Sequence, residues 1–164
     1  MNTERENTVG EVARTLLKLL EQASQPVEYD PEWPSPCAVL PPDADNMVAW
    51  RPVAMEPSPD FSGLGLRPDI IEFYTSFWGR GWEGGHDGEA VFLTVAWNAH
   101  ESAQIRASLA SQAAAGEPVF IATTDSDLFF GVDNASGAVW LCEPGYPPLR
   151  EVAPSLAAFL TALA

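Results

Sequence analysis

The apolar positions fall into short, separable runs whose spacing predicts a mixture of helices and strands. Val9, Val12, Ala13, Leu16, Leu17 and Leu20 recur at helical spacing, with Thr8 and Glu11 at capping-box distance. They predict a helix from Thr8 to Ala23, closed by Gln25-Pro26. Four prolines (Pro26, Pro31, Pro34 and Pro36) keep Val27 to Pro36 extended. Cys37–Leu40 and Met47–Arg51 read as strands about a Pro41–Asn46 turn. A Pro/Ser/Gly-rich loop then covers Pro52 to Pro68. Ile70, Phe73, Tyr74 and Phe77 predict a second helix over Pro68–Trp78, with Gly79 as its stop.

The next run, Gly79 to Gly88, carries so many glycines that it predicts a flexible connection. Glu89–Ala96 is β-rich. Asn98 caps a third helix, with Glu101 three residues on, Ile105, Leu109 and Ala113 on its inner face, and Gly116 at its end. Pro118–Thr123, Asp127–Val132 and Ala138–Glu143 predict strands, the last two joined by the Asp133–Gly137 turn. Pro144 to Pro148 interrupts the chain. Pro154 then stands at the first position of a closing helix carrying Leu156, Phe159, Leu160 and Leu163. This order predicts an α+β fold, a mostly antiparallel sheet flanked by helices, rather than a doubly wound parallel sheet.

A length of 164 residues predicts one domain, with residues 1–28 as an N-terminal helix and linker. Six Trp, eight Phe and three Tyr supply the bulk for one core. Charge changes the picture more than bulk does. Twenty-three acidic against eight basic side chains give a formal charge of −15, and Lys18 is the sole lysine. Such a field repels nucleic-acid phosphate and anionic lipid, and it attracts a basic protein surface. With no apolar run of the roughly 18 residues a bilayer span needs, the expectation is a cytoplasmic protein that meets a membrane only through a protein partner. A monomer is expected.

No catalytic or metal motif emerges. His86-Asp87-Gly88-Glu89 is the densest cluster of candidate ligands, but glycines surround it, and His100 reads as a first-turn helix residue. Asp125-Ser-Asp127 lacks the later ligands of a calcium loop. Cys37 and Cys142 have no metal-ligand spacing and read as small buried hydrophobes. Gly63-Leu-Gly65 lacks the rest of a phosphate-binding fingerprint. The expectation is a protein with no cofactor, no metal and no catalytic residue. Its partner-binding candidates are the loop acids Glu83, Asp87, Glu89, Asp125 and Asp127, with Asp43 and Asp45 as a second group. Trp82, Trp33 and Trp78 are candidate aromatic anchors.

Seven segments together carry a resemblance. They are Pro34-Ser-Pro-Cys37, Val48-Ala-Trp-Arg-Pro52, Ile71-Glu-Phe-Tyr74, Trp97-Asn98, Phe120–Asp125, Val132–Gly137 and Ala153–Leu160. In this order, from about Tyr29 to the C-terminus, the chain resembles the SecY-interacting protein Syd family of the SUKH superfamily. The resemblance implies an α+β sheet flanked by helices. It also implies a peripheral protein on the cytoplasmic side of the inner membrane, bound to cytoplasmic loops of SecY through a concave acidic surface. Other members of the superfamily resemble immunity proteins, which implies a toxin domain, often a nuclease, as the alternative partner. One segment departs from the proteobacterial pattern: Ala107 to Gly116 is uncharged where a longer stretch with a basic tail is expected.

Overall fold

A computed structural model describes the backbone of residues 2–23 and 25–164 and the side chains of residues 10–23 and 25–164. Helix α1 spans Asn2–Gln22. It begins ahead of Thr8 because no proline or glycine lies between Asn2 and Thr8 to stop it. Thr8 is therefore helical rather than a cap; its side chain and that of Val9 lie outside the described residues. Val12, Leu16, Leu19 and Leu20 are fully buried along one face of α1.

Two-residue strands β1 (Val27–Glu28) and β2 (Ala38–Val39) flank β3 (Met47–Trp50) in a small antiparallel sheet of order β1-β3-β2. β4 (Val53–Ala54) follows, out of the presumed loop. α2 spans Pro68–Thr75 and buries Ile70, Phe73 and Tyr74. It stops short of Trp78 because Phe77–Trp78 form β5 and pair with Ala54 and Val53 of β4. At the exit, Thr75 Oγ1 and Ser76 Oγ donate back to the carbonyls of Ile71 and Glu72 one turn earlier.

The remaining strands build the main sheet. β6 (Glu83–His86), β7 (Glu89–Leu93), β8 (Val119–Thr123), β9 (Phe129–Val132), β10 (Val139–Cys142) and β11 (Arg150–Ala153) lie side by side in chain order, all antiparallel. The sheet is curled. α3 (Ala99–Ala115) connects β7 to β8. Asn98 caps it by accepting the Glu101 N–H at 3.0 Å, and Gly116, at φ 70°, ends it in the left-handed region. α4 (Leu156–Leu163) is capped by Ser155, whose hydroxyl accepts the Ala158 N–H, so Pro154 stands before the cap rather than inside the helix.

Two further expectations change in the main sheet. The glycine-rich run is not a flexible connection: its second half is β6, joined to β7 by Asp87-Gly88. Both turn residues have positive φ (48° and 83°), as a tight two-residue hairpin requires. The segment after Pro148 supplies an eleventh strand. One contiguous core joins α1, α2 and α4 to the inner face of the main sheet, through Leu16, Phe73, Phe130, Val139, Phe159 and Leu160.

Candidate docking face on the sheet

Side chains alternate across a strand, so the residues opposite the core form rows on the outer face. One row is fixed by the strand register: Glu83 faces Phe92, Phe92 faces Thr123, Thr123 faces Phe129, and Phe129 faces Cys142. Glu83 and Thr123 are exposed, and Phe92 is 36% exposed, which is high for a phenylalanine inside a strand. The row ends in a groove of about 620 Å³ between the β8–β9 turn, the β10–β11 loop and the end of α3. Phe120, Leu128, Phe129 and Tyr146 supply its apolar surface. Glu117, Asp127 and Glu143 are the charged residues in its lining, and no basic residue is among them. Tyr146 is 67% exposed.

The β8–β9 turn is internally braced. The buried Thr124 hydroxyl donates to the Leu128 carbonyl at 2.8 Å and accepts the Ser126 N–H, while Ser126 Oγ accepts the Leu128 N–H. Asp125 and Asp127 therefore project from a rigid turn. On the opposite side Gln112 of α3 accepts the Phe120 N–H with Oε1 at 3.1 Å, tying the helix end to β8. Cys142, beneath the groove, is buried, and burial pushes its thiol pKa up to about 11. It is an apolar wall of the groove, not a nucleophile.

The predicted acids distribute unevenly over this surface. Asp127 lines the groove, Asp125 shares its turn, and Glu83 stands at the far end of the cross-strand row. Asp87 and Glu89 sit at the β6–β7 hairpin, where Asp87 Oδ2 is 3.6 Å from His86 Nδ1. Asp43 and Asp45 belong to the turn between β2 and β3 in the small sheet and do not line the groove. Asp43 Oδ1 accepts the N–H groups of Asp45 and Met47, so this carboxylate shapes its own turn. Trp82 does not serve as an exposed anchor: it is 8% exposed and belongs to the core. A Cβ at Gly84 would lie 2.1 Å from its ring, so Gly84 is the space the indole occupies.

Glu117, Glu143 and Tyr146 were not among the sequence candidates. Only the sheet order brings them together. A tyrosine set among prolines in Pro144–Pro148 was the one local signal pointing to an exposed aromatic.

The two histidines stay apart. The His86 ring packs 5.4 Å from that of Phe159, whereas His100 meets Trp33 edge-on at 5.0 Å. Among the described residues no three His, Cys, Asp or Glu side chains come close enough to share a metal ion. Among them, too, no helix is long and apolar enough to cross a membrane.

The fold and this surface define an α+β protein with an acid-rimmed apolar groove on the outer face of an antiparallel sheet. The sequence profile of the family described as Syd protein (SUKH-2) matches residues 11–164, and the chain belongs to that family. It is similar to Protein Syd of Pseudoalteromonas atlantica, 32% identical over 149 residues, covering 82% of this chain and 80% of that one. Protein Syd of Colwellia psychrerythraea is 30% identical over 159 residues, covering 84% and 79%. Protein Syd of Hahella chejuensis is 32% identical over 142 residues, covering 79% and 73%.

Proposed function

We propose that this chain is a non-enzymatic binding protein that docks on basic cytoplasmic loops of the translocon subunit SecY and acts in quality control of the export channel. One observation carries the reading: the groove combines apolar surface with three carboxylates and no basic residue in its lining. Apolar surface rewards burial of a side chain, and the carboxylates select a segment whose neighbouring residues are Lys or Arg. Asp127 makes the direct contact, with Asp125 and Glu83 along the same face. Asp87 and Glu89 extend the negative field at the hairpin end. A charge of −15 steers a cationic loop toward this face and keeps the chain off bare anionic lipid, so the membrane is reached through the partner.

The test is binding to SecY in nanodiscs of zwitterionic lipid. Binding at low ionic strength should weaken steeply at high salt, and the triple variant Glu117→Gln, Asp127→Asn, Glu143→Gln should weaken it further. Absence of binding at low salt, or binding indifferent to both salt and the triple variant, would falsify the proposal.

A further inference from the structure

A second cavity, of about 480 Å³, opens beside the small sheet, away from the groove. Its lining residues include Tyr29, Trp33 and Trp97, the acids Glu28 and Asp30, and Arg80; Asp30 Oδ1 also accepts the Glu32 N–H at 2.9 Å. Three aromatic rings with two carboxylates form a surface for a cation, because ring faces carry negative potential and the acids supply full charge. The molecule itself places a cation there: the Arg80 guanidinium carbon lies 5.7 Å from the centre of the Trp97 ring. Arg80 is exposed, and no hydrogen bond or ion pair to its guanidinium is seen among the described residues.

The walls are built rather than incidental. Glu101 accepts the Trp33 indole N–H at 3.1 Å with Oε2 and the Trp97 backbone N–H at 2.8 Å with Oε1. A single carboxylate thus holds both tryptophans. Its own N–H is held by Asn98 at the start of α3, so the cavity rests on the helix terminus. Trp97 is also packed edge-on against Trp50 at 6.0 Å. Rigid walls leave little ordering cost for an incoming side chain.

We propose that this cavity receives one arginine side chain of a bound protein, which displaces Arg80 from the Trp97 face. Arginine fits better than lysine, since a planar guanidinium stacks on an indole and still offers edge N–H groups to Glu28 and Asp30. The inference rests on the reading of a basic partner, but it concerns a different surface from the groove.

The probe is the peptide Gly-Gly-Arg-Gly-Gly with blocked ends, followed through the indole N–H resonances of Trp33 and Trp97. Saturable shifts are expected with a dissociation constant on the order of 1 mM. The citrulline peptide, uncharged and of the same shape, should bind at least roughly fivefold more weakly. So should the variant Glu28→Gln, Asp30→Asn, whose exposed side chains can change without unfolding the chain. Arg80→Gln should tighten binding by removing the internal competitor. Equal response to arginine and citrulline, no shift at tens of millimolar, or unchanged binding in the acid variant would each overturn the proposal. SecY binding that survives the acid variant but fails in the groove variant would overturn this site while leaving the groove reading intact. Loss of SecY binding in both variants is the result expected if both surfaces contact the partner.

Discussion

At the scale of single residues, taking a titratable group out of water shifts its acidity. Burial raises the Tyr74 phenol well above its usual value, so it stays protonated and donates to the Phe120 carbonyl. Burial likewise raises Cys37, against weaker opposing hydrogen bonds from Ser35 and Val53, and raises Cys142 from 9.0 to about 11. The direction sets a pH dependence. An unfolded thiol loses its proton near 9.0, while the folded Cys142 keeps it until about 11. Stability from this group is therefore complete below pH 9 and is lost as pH rises through that window. Urea denaturation should show a loss on the order of 1–2 kcal/mol across it, and Cys142→Ala should flatten the slope. The same slope in Cys142→Ala would assign the loss to other groups, Cys37 and Tyr74 first.

At the scale of elements, legibility followed how local the determinants are. α3 could be read almost residue for residue, because Asn98, Glu101 and Gly116 act within one turn of the helix ends. The β9–β10 hairpin was equally plain, since Asp133 accepts the Ala135 N–H and the Ser136 hydroxyl inside its own turn. β4, β5 and β11 were missed because two- and four-residue strands are decided by what lies beside them, not by their own periodicity. β6 was missed for a different reason. Its glycines read as flexibility, yet the Asp87-Gly88 pair was a hairpin signal. The site divides the same way: Asp125 and Asp127 announce themselves as turn acids, whereas Glu117 and Glu143 meet only through the sheet. Trp82, taken for a possible anchor, is core because Gly84 leaves it room. That reading makes neighbouring glycines unequal. Gly84→Ala, with a Cβ 2.1 Å from the Trp82 ring, should cost about 1–3 kcal/mol. Gly85→Ala meets only the Glu89 carbonyl at 3.5 Å and should stay within about 0.5 kcal/mol of the parent. Equal denaturation midpoints for the two would show that Gly84 is not making space for the indole.

At the scale of the whole molecule, charge acts on folding and on docking with opposite signs. With 23 acids and 8 bases, carboxylates outnumber basic side chains by 15. Their mutual repulsion is relieved when the chain expands, so it works against the compact state. Added salt shortens the screening length to about 10 Å at 0.1 M and should raise the melting temperature by several degrees between about 0.02 M and about 0.5 M sodium chloride. Differential scanning calorimetry reads this directly. A flat or falling melting temperature would mean that close attractive pairs outweigh the excess of acids. Docking on a basic surface responds the other way, because the same ions screen an attraction. Salt should thus release the partner under the conditions where the fold is most stable, and loss of binding at high salt cannot then be ascribed to unfolding. On the docking proposed above, the excess of acids that works against the compact state would also supply reach toward a cationic partner, and one salt titration with both readouts separates the two effects.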